Sequence, residues 1–284
     1  MKIAVLAASA AAVLAAPAAP AAAQETTTRS DYFNGVYVGG TIGLESSTND
    51  DETFVFDTNR DGNFDNTVRT VAGANAFSPG FCGGNALGNN AAAGCDGDDA
   101  DLAYSVRVGL DRRLGENGLL VAGILAEATK HEGTDFVSAF STTPASYTIA
   151  RSLDHSFALR GRLGVSPGDG RGLFYVTGGV AYGKLEHDFF TSNTANSFTQ
   201  VDDDDYQLGA QLGGGAEIHL TRALSLNLEY LYQTFEDDDY FVAVGQGTAP
   251  VTNPFLLNGG GTNLRLGNTD YDLHSFRVGL NFRF

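Results

Sequence analysis

From Asn34 onward the chain alternates apolar and polar residues over long stretches. Between Tyr206 and Leu220, one parity holds Tyr206, Leu208, Ala210, Leu212, Ala216, Ile218 and Leu220. The other holds Asp205, Gln207, Gln211, Glu217 and His219, with glycines between. A period of two over that length predicts a strand with one apolar and one polar face. The pattern recurs at Val36–Leu44 against Tyr37, Thr41 and Glu45, and at Leu102–Leu110 against Ser105, Arg107 and Asp111. Leu153, Phe157, Leu159 and Leu163 oppose Ser156, Arg160 and Arg162. Leu224–Tyr232 opposes Ser225, Asn227 and Glu229, and Phe276–Phe284 opposes Ser275, Arg277, Asn281 and Arg283. Two further strands, less regular because Gly and Ala fill many positions, fall near 118–130 and 172–187. The expected total is eight.

Such strands exceed the five or six residues typical of soluble sandwiches. They match the roughly 9–11 tilted residues that cross a bilayer. Alternation alone fits a sandwich as well as a barrel; the connections separate them. A long segment, 46–101, follows the first strand, and then comes the short turn "RRLGENG". Medium loops at 131–150 and 188–204 alternate with the short turns "SPGDGRG" and "LTRA", and a long loop at 236–270 precedes the last strand. Strict long–short alternation, with both ends on the short-turn side, is the pattern of a closed antiparallel transmembrane β-barrel with long extracellular loops and short periplasmic turns. An all-β fold of this kind leaves no sheet edge in lipid. Two segment pairs, "TFVF" with "NTVRTV" and "YFVAV" with "NLRL", are open to two readings, strands extended above the membrane or an added hairpin, so ten strands stay open as an alternative to eight.

The amino terminus agrees with export. Lys2, the apolar run "IAVLAASAAAVLAA" and the small residues "AAPAAA" predict a signal peptide over 1–23. Residues 24–284 are expected to form a single barrel domain. Beyond the leader there is no apolar run long enough for a spanning helix, which takes about 18 residues or more. A net charge of −17 argues against nucleic acid as a partner. Acid concentrates in the long connections, in "NDDE", "DGDDAD", "DDDD" and "EDDD", whereas Arg112, Arg113, Arg171 and Arg222 sit in or beside the short turns.

Several motifs resemble one family. "FNGVYVGGTIGLESS", "LFYVTGGVAYGKLE", "LGGGAEIHLTRALSLNLEYLYQTF" and "SFRVGLNFRF" are similar to the first, fifth, sixth-to-seventh and closing strands of the outer-membrane β-barrel family of Gram-negative bacteria (OmpA-like, opacity-type surface antigens, porin-like). The resemblance covers most of 33–284 through the strands. It implies an outer-membrane location, surrounding lipid, and a terminal aromatic, here Phe284, read by the barrel-assembly machinery. It implies no single activity.

Three kinds of site are expected. Inward charges at Arg107, Glu127, Arg160, Arg162, Glu217, Glu229, Arg277 and Arg283 need partners in a narrow lumen and predict an ion-pair network. Inward glycines such as Gly109, Gly215 and Gly279 leave open a tight lumen, bent strands or a small water channel. Cys82 and Cys95 fit a disulfide bracing the first long loop. "DTNRDGNFD" places Asp57, Asn59, Asp61, Asn63 and Asp65 at calcium-loop positions, with Gly62 at the turn. Val68 stands where the bidentate acid belongs, so the segment is no EF-hand. A weak calcium site and a plain Asp-Gly hairpin turn both remain open. No cofactor is required. Hydrolase and metalloprotease motifs are absent, and His274 and Ser275, being adjacent, point to opposite faces of a strand, so no enzyme is expected.

The function expected is a structural and surface-interaction role in the outer membrane, with an extracellular partner left unidentified. The alternatives are a small-solute or cation-preferring porin-like channel and an exported soluble β-sandwich.

Overall fold

The computed structural model describes residues 32–47, 53–98, 100–115, 117–202 and 204–284. The leader expected over 1–23 and the "NDDE" run lie outside them. In chain order the strands are β1 (Gly35–Ser47), β2 (Phe54–Asp57), β3 (Gly80–Gly83), β4 (Asn85–Ala86), β5 (Cys95–Asp96), β6 (Asp101–Leu114), β7 (Leu120–His131) and β8 (Thr134–Ser141). They continue as β9 (Ala145–Val165), β10 (Gly172–Thr191), β11 (Ser197–Val201), β12 (Asp204–His219), β13 (Leu224–Glu236), β14 (Phe241–Gly245), β15 (Thr262–Leu266) and β16 (Asp270–Arg283).

Eight of them close a ring in the order β1, β6, β7, β9, β10, β12, β13, β16, every neighbouring pair antiparallel. The first and last strands pair directly, Val38 opposite Phe282, so no edge remains in the ring. The outward parity carries Val106, Leu163, Val176, Leu212, Leu228 and Phe276, all more than half exposed. A soluble sandwich would bury that parity; this apolar wall is matched to hydrocarbon. Tyr104, Tyr182, Tyr206, Tyr230 and Phe282 also face outward and are exposed, and Tyr182 stacks on Tyr206 at 5.1 Å. Such aromatics suit the boundary between hydrocarbon and headgroups.

One outward position in the expected pattern is corrected. Leu153 shares parity with Phe157 in the sequence, yet it is 1% exposed and points inward, while Phe157 points out. The reason is a β-bulge. Gly183 pairs with Ser156, but Leu185 pairs with Leu153, so Asp154 and His155 together oppose Lys184. One extra residue flips every side chain beyond it.

Above the ring the stretches expected as medium loops are partly strand. β8 folds back on the upper half of β9, β3 adds to β8, and β10 rises alongside β9 as far as Thr191 opposite Tyr147. A second sheet, ordered β11-β14-β15-β2, lies against them. "YFVAV" does pair with "NLRL", through Val242 opposite Leu264. "TFVF" joins "NLRL" instead of forming a full hairpin with "NTVRTV", where a single bridge links Phe56 and Asn66. The barrel is therefore eight-stranded, and these segments build a cap above it.

The two sheets enclose an apolar core that includes Phe54, Phe77, Tyr147, Val242, Phe255 and Leu264. Phe189 meets Phe198 across the sheets with ring centroids 5.2 Å apart. Cys82 and Cys95 are joined as a disulfide, Cα atoms 6.3 Å apart, and tie β3 to β5 at the side of this cap.

Candidate functional site

The inward face of the ring is the first candidate. All eight charges expected in the lumen are there, together with Glu45 of β1 and Asp111 of β6, and each is 6% exposed or less. They sort into two tiers. In the tier nearer the short turns, Arg162 donates to both Asp111 and Glu217, the latter at 2.8 Å. Arg283 donates to Asp111 at 2.6 Å, and Ser225 Oγ donates to Glu217 at 2.6 Å. The guanidiniums of Arg162 and Arg283 pack on the Tyr37 ring at 5.0 and 4.9 Å.

In the middle tier, Arg160 bridges Glu127 at 2.9 Å and Glu229 at 3.1 Å. Arg277 bridges Glu127 at 2.8 Å and Glu45 at 2.9 Å. Arg107 lies 4.0 Å from Glu127 and 3.9 Å from Glu229, and its Nε donates to Asn281. Tyr175 donates its hydroxyl to Glu229 at 2.9 Å. His131 reaches Glu45 at 2.5 Å. Two guanidiniums face two carboxylates in the first tier, and three face three in the second. In each tier the arginines and carboxylates balance in number, which is what a buried network requires if no guanidinium or carboxylate is to be left uncompensated.

The inward glycines are closely covered by neighbouring backbone and side chains. A Cβ at Gly109 would collide with the Tyr37 ring, and one at Gly215 would meet the Leu228 carbonyl and the Tyr175 hydroxyl at 2.8 Å. Of the three readings the glycines left open, the tight lumen is the one these contacts form. Above the middle tier an apolar layer of Leu153, Ala181, Leu185, Phe235, Tyr271 and Leu273 spans the interior. Over it Arg151 meets Asp237 at 3.1 Å and Asp135 at 3.4 Å, and His187 meets Asp237 at 3.0 Å.

The periplasmic end is stoppered as well. Tyr32 and Phe33, just ahead of β1, are 5% and 0% exposed and pack on His219 at 4.9 and 4.6 Å. Arg113 donates to the Tyr32 carbonyl at 2.7 Å, and Arg113 and Arg283 flank the Phe33 ring at 5.7 and 5.5 Å. Phe33 has φ of 52°, a left-handed conformation that costs a non-glycine residue about 1 kcal/mol or more. Its burial among Tyr32, Val121, Leu173 and Tyr175 offsets that cost.

Some of these residues were legible and some were not. Glu45 and Asp111 lie on polar parities already read as inward, so membership of the network followed from the pattern. The stopper had weaker signs, two aromatics and a short distance to the first strand. Asp135 and Asp237 sit in stretches read as loop, Arg151 lies just past the first of them, and His187 ends an irregular strand, so no clear periodicity announces a face.

In the first connection, Asp57 is fully buried and its carboxylate accepts the backbone N–H groups of Asp61, at 3.2 Å, and Gly62, at 2.9 Å. Asp61 accepts from the Asn63 N–H at 2.9 Å and from the Asn59 amide at 2.8 Å. Asp65 accepts from Asn66. The hydrogen bonds from Asn63 and then Asn59 hold the Asp61 carboxyl below its usual range. The turn at Gly62, φ of 88°, is thus closed by its own hydrogen bonds. Among the described residues, no group of three or more His, Cys, Asp or Glu is placed to hold a metal ion. Phe284 stands at the periplasmic rim, 75% exposed, its N–H donating to the Val36 carbonyl at 3.0 Å and its ring edge-on to Phe282 at 5.2 Å.

Comparison with known proteins bears on the whole chain. Residues 8–284 match the family model described as the outer membrane protein beta-barrel domain. The 31 kDa outer-membrane immunogenic proteins of Brucella melitensis biotype 1 and Brucella suis biovar 1 are each 30% identical over 126 residues, 44% of this chain and 44% of theirs. The match thus spans less than half the length of these relatives. Among solved structures, the outer membrane protein OprG of Pseudomonas aeruginosa is 12% identical, with 91% of this chain and 100% of that chain covered and a TM-score of 0.45. Neisserial surface protein A is 9% identical, with 88% and 98% covered and a TM-score of 0.34.

Proposed function

The chain belongs to the family of the outer membrane protein beta-barrel domain, and from that premise we propose that it is a sealed barrel whose task is to hold a folded cap at the cell surface. It resides in the outer membrane, with lipid around the apolar wall. The observation that carries this reading is the pair of balanced charge tiers, each linking strands across the interior, below an apolar layer and above the Tyr32–Phe33 stopper. A conducting path needs a continuous polar, hydrated route, and side chains occupy this one at four levels. The cap is built like a small soluble sandwich, with its own core and disulfide, and this construction suits an element that meets other molecules.

Planar-bilayer recording of the purified protein tests the reading. The expected result is the absence of discrete conductance steps. Reproducible cation-preferring steps would favour the porin-like alternative, with the acidic loops as its mouth.

Two finer assignments go with this reading. Phe284, exposed at the periplasmic rim, is the residue we assign to recognition by the assembly machinery. For Asp57, Asn59, Asp61, Asn63 and Asp65 we propose a self-closed turn that calcium braces weakly. The order of Asp and Asn residues along the sequence and the turn at Gly62 support it. Loop proteolysis and melting that do not change with chelator would leave the turn without calcium.

A further inference from the structure

The outer end of the cap holds a cavity of about 250 Å³. It lies over the apolar core, where the buried Phe77 and Tyr147 rings lie 5.3 Å apart and Phe255 is 5.8 Å from Phe77 and 5.7 Å from Tyr147. Its rim is made by three connections: the β8–β9 turn with Thr142 and Thr143, the segment after β10 with Asn193 and Thr194, and the turn at Asn253 and Pro254. Thr142, Thr143 and Thr194 are exposed, so the cavity opens away from the membrane.

The composition of this lining is unusual for the protein that carries it. The chain has a net charge of −17, with acid in every long connection, yet none of the sixteen lining residues is charged. The polar groups are amides and hydroxyls. They are held by defined contacts: Asn193 Nδ2 donates to the Tyr147 hydroxyl at 3.0 Å and to Asn196 at 3.0 Å, and Asn253 Nδ2 donates to Asn196 at 3.0 Å.

We propose that this cavity binds a single neutral saccharide ring presented outside the cell. Amides and hydroxyls both donate and accept, as the hydroxyls of a sugar require. The accessible carbon of the lining, at Pro144, Ala195 and Pro254, meets the apolar C–H face of a pyranose. An ionic ligand would give up its hydration without a counter-charge, which is costly in a lining of this kind. The volume is below the roughly 300–1,000 Å³ of pockets for drug-sized ligands, and so admits one ring and not a chain.

The inference rests on the cap facing outward, and the experiment separates the two. Full-length protein in detergent micelles is titrated, with saturation-transfer NMR, against the methyl glycosides of glucose, galactose, mannose and N-acetylglucosamine. Glucuronate, sialic acid and choline serve as charged counterparts. The expected result is about millimolar binding of at least one neutral glycoside and at least about tenfold weaker binding of every charged compound. Thr194→Trp, at the rim, is expected to weaken that binding about tenfold or more. In unmodified protein carrying labelled alanine methyls, the glycoside is expected to shift Ala145 and Ala195, which line the cavity. No binding of any neutral glycoside, equal binding of choline or the acids, or shifts confined to other alanines overturns the proposal. In intact cells, a Thr143→Cys variant is treated with a membrane-impermeant maleimide. Labelling without sugar binding sinks the pocket alone; absence of labelling sinks the outward topology along with it.

Discussion

Arg277 and Glu127 meet across the interior of the barrel. Their strands, β16 and β7, are separated in the ring by β1 and β6, yet Nη1 and Oε1 lie 2.8 Å apart. Arg160 on β9 reaches the same carboxylate from another side, at 2.9 Å. Glu127 is therefore the anion on which Arg277 and Arg160 converge from different parts of the wall, with Arg107 4.0 Å away. It acts as a cross-brace, a role that pairing between adjacent strands cannot supply.

Removing that anion leaves Arg160 and Arg277 buried with reduced compensation. Glu127→Gln keeps the shape and deletes the charge. Breaking a buried ion pair from one side costs about 3–5 kcal/mol. The variant is expected to lose stability of that order in urea unfolding from detergent. An unchanged midpoint would mean that the middle tier does not hold the wall together.

The parity of each strand predicts which labels meet lipid. Nitroxides at Val106 and Leu212 are expected to be accessible to oxygen and shielded from a water-soluble nickel complex. At Thr41 and Gln233, which face the filled lumen, both reagents are expected to be excluded. High nickel accessibility at Leu212 would turn the proposed wall inside out.

That parity was the most legible property of the chain. Where the polar face is continuous, as from Ser225 to Gln233 or from Ser275 to Arg283, the alternation identified the inward residues one by one. It failed at Leu153 because a bulge adds a residue without any local composition to mark it; Asp154 and His155 read like any polar pair. It marked "TFVF", "YFVAV" and "NLRL" as strand above the membrane but not how the cap joins all three in one sheet. β2 and β15 pair across about two hundred residues of chain, and β11 and β14 pair from two different connections, so neither strand has a sequence neighbour to announce it. Their stabilisation comes from a shared core, which becomes visible only when Phe54, Val242 and Leu264 are brought together.

The disulfide belongs to that cap and not to the ring. Cys82 and Cys95 close a loop of 14 residues, for which the chain-entropy estimate is about 3 kcal/mol. Replacing both with Ser is expected to speed proteolysis within 80–96 and to lower protection of the β3–β8 edge in hydrogen exchange. The heat-dependent gel shift of the barrel is expected to stay as it is. A lost gel shift would show that the cap and the ring fold as one unit.

The last prediction concerns acid. Asp61 is exposed, and its carboxyl is held below the usual range, first by the Asn63 backbone N–H and then by the Asn59 amide. A carboxyl depressed in the folded state stabilises it above the unfolded value, which lies near pH 4 for Asp, and the contribution disappears as pH falls through the lower, folded value. Protonation removes an acceptor from a turn that is otherwise closed by Asp57 and, at its base, by Thr58 donating to Asn66. Protection of the Asn63 amide in hydrogen exchange, corrected for intrinsic rate, is therefore expected to be constant from pH 7 down to about 4 and to decline below it. In Asp61→Asn the amide oxygen still accepts but does not titrate over this range, so the decline is expected to flatten. A decline of the same size in the variant would show that the Asp61 carboxyl is not the source of the acid sensitivity.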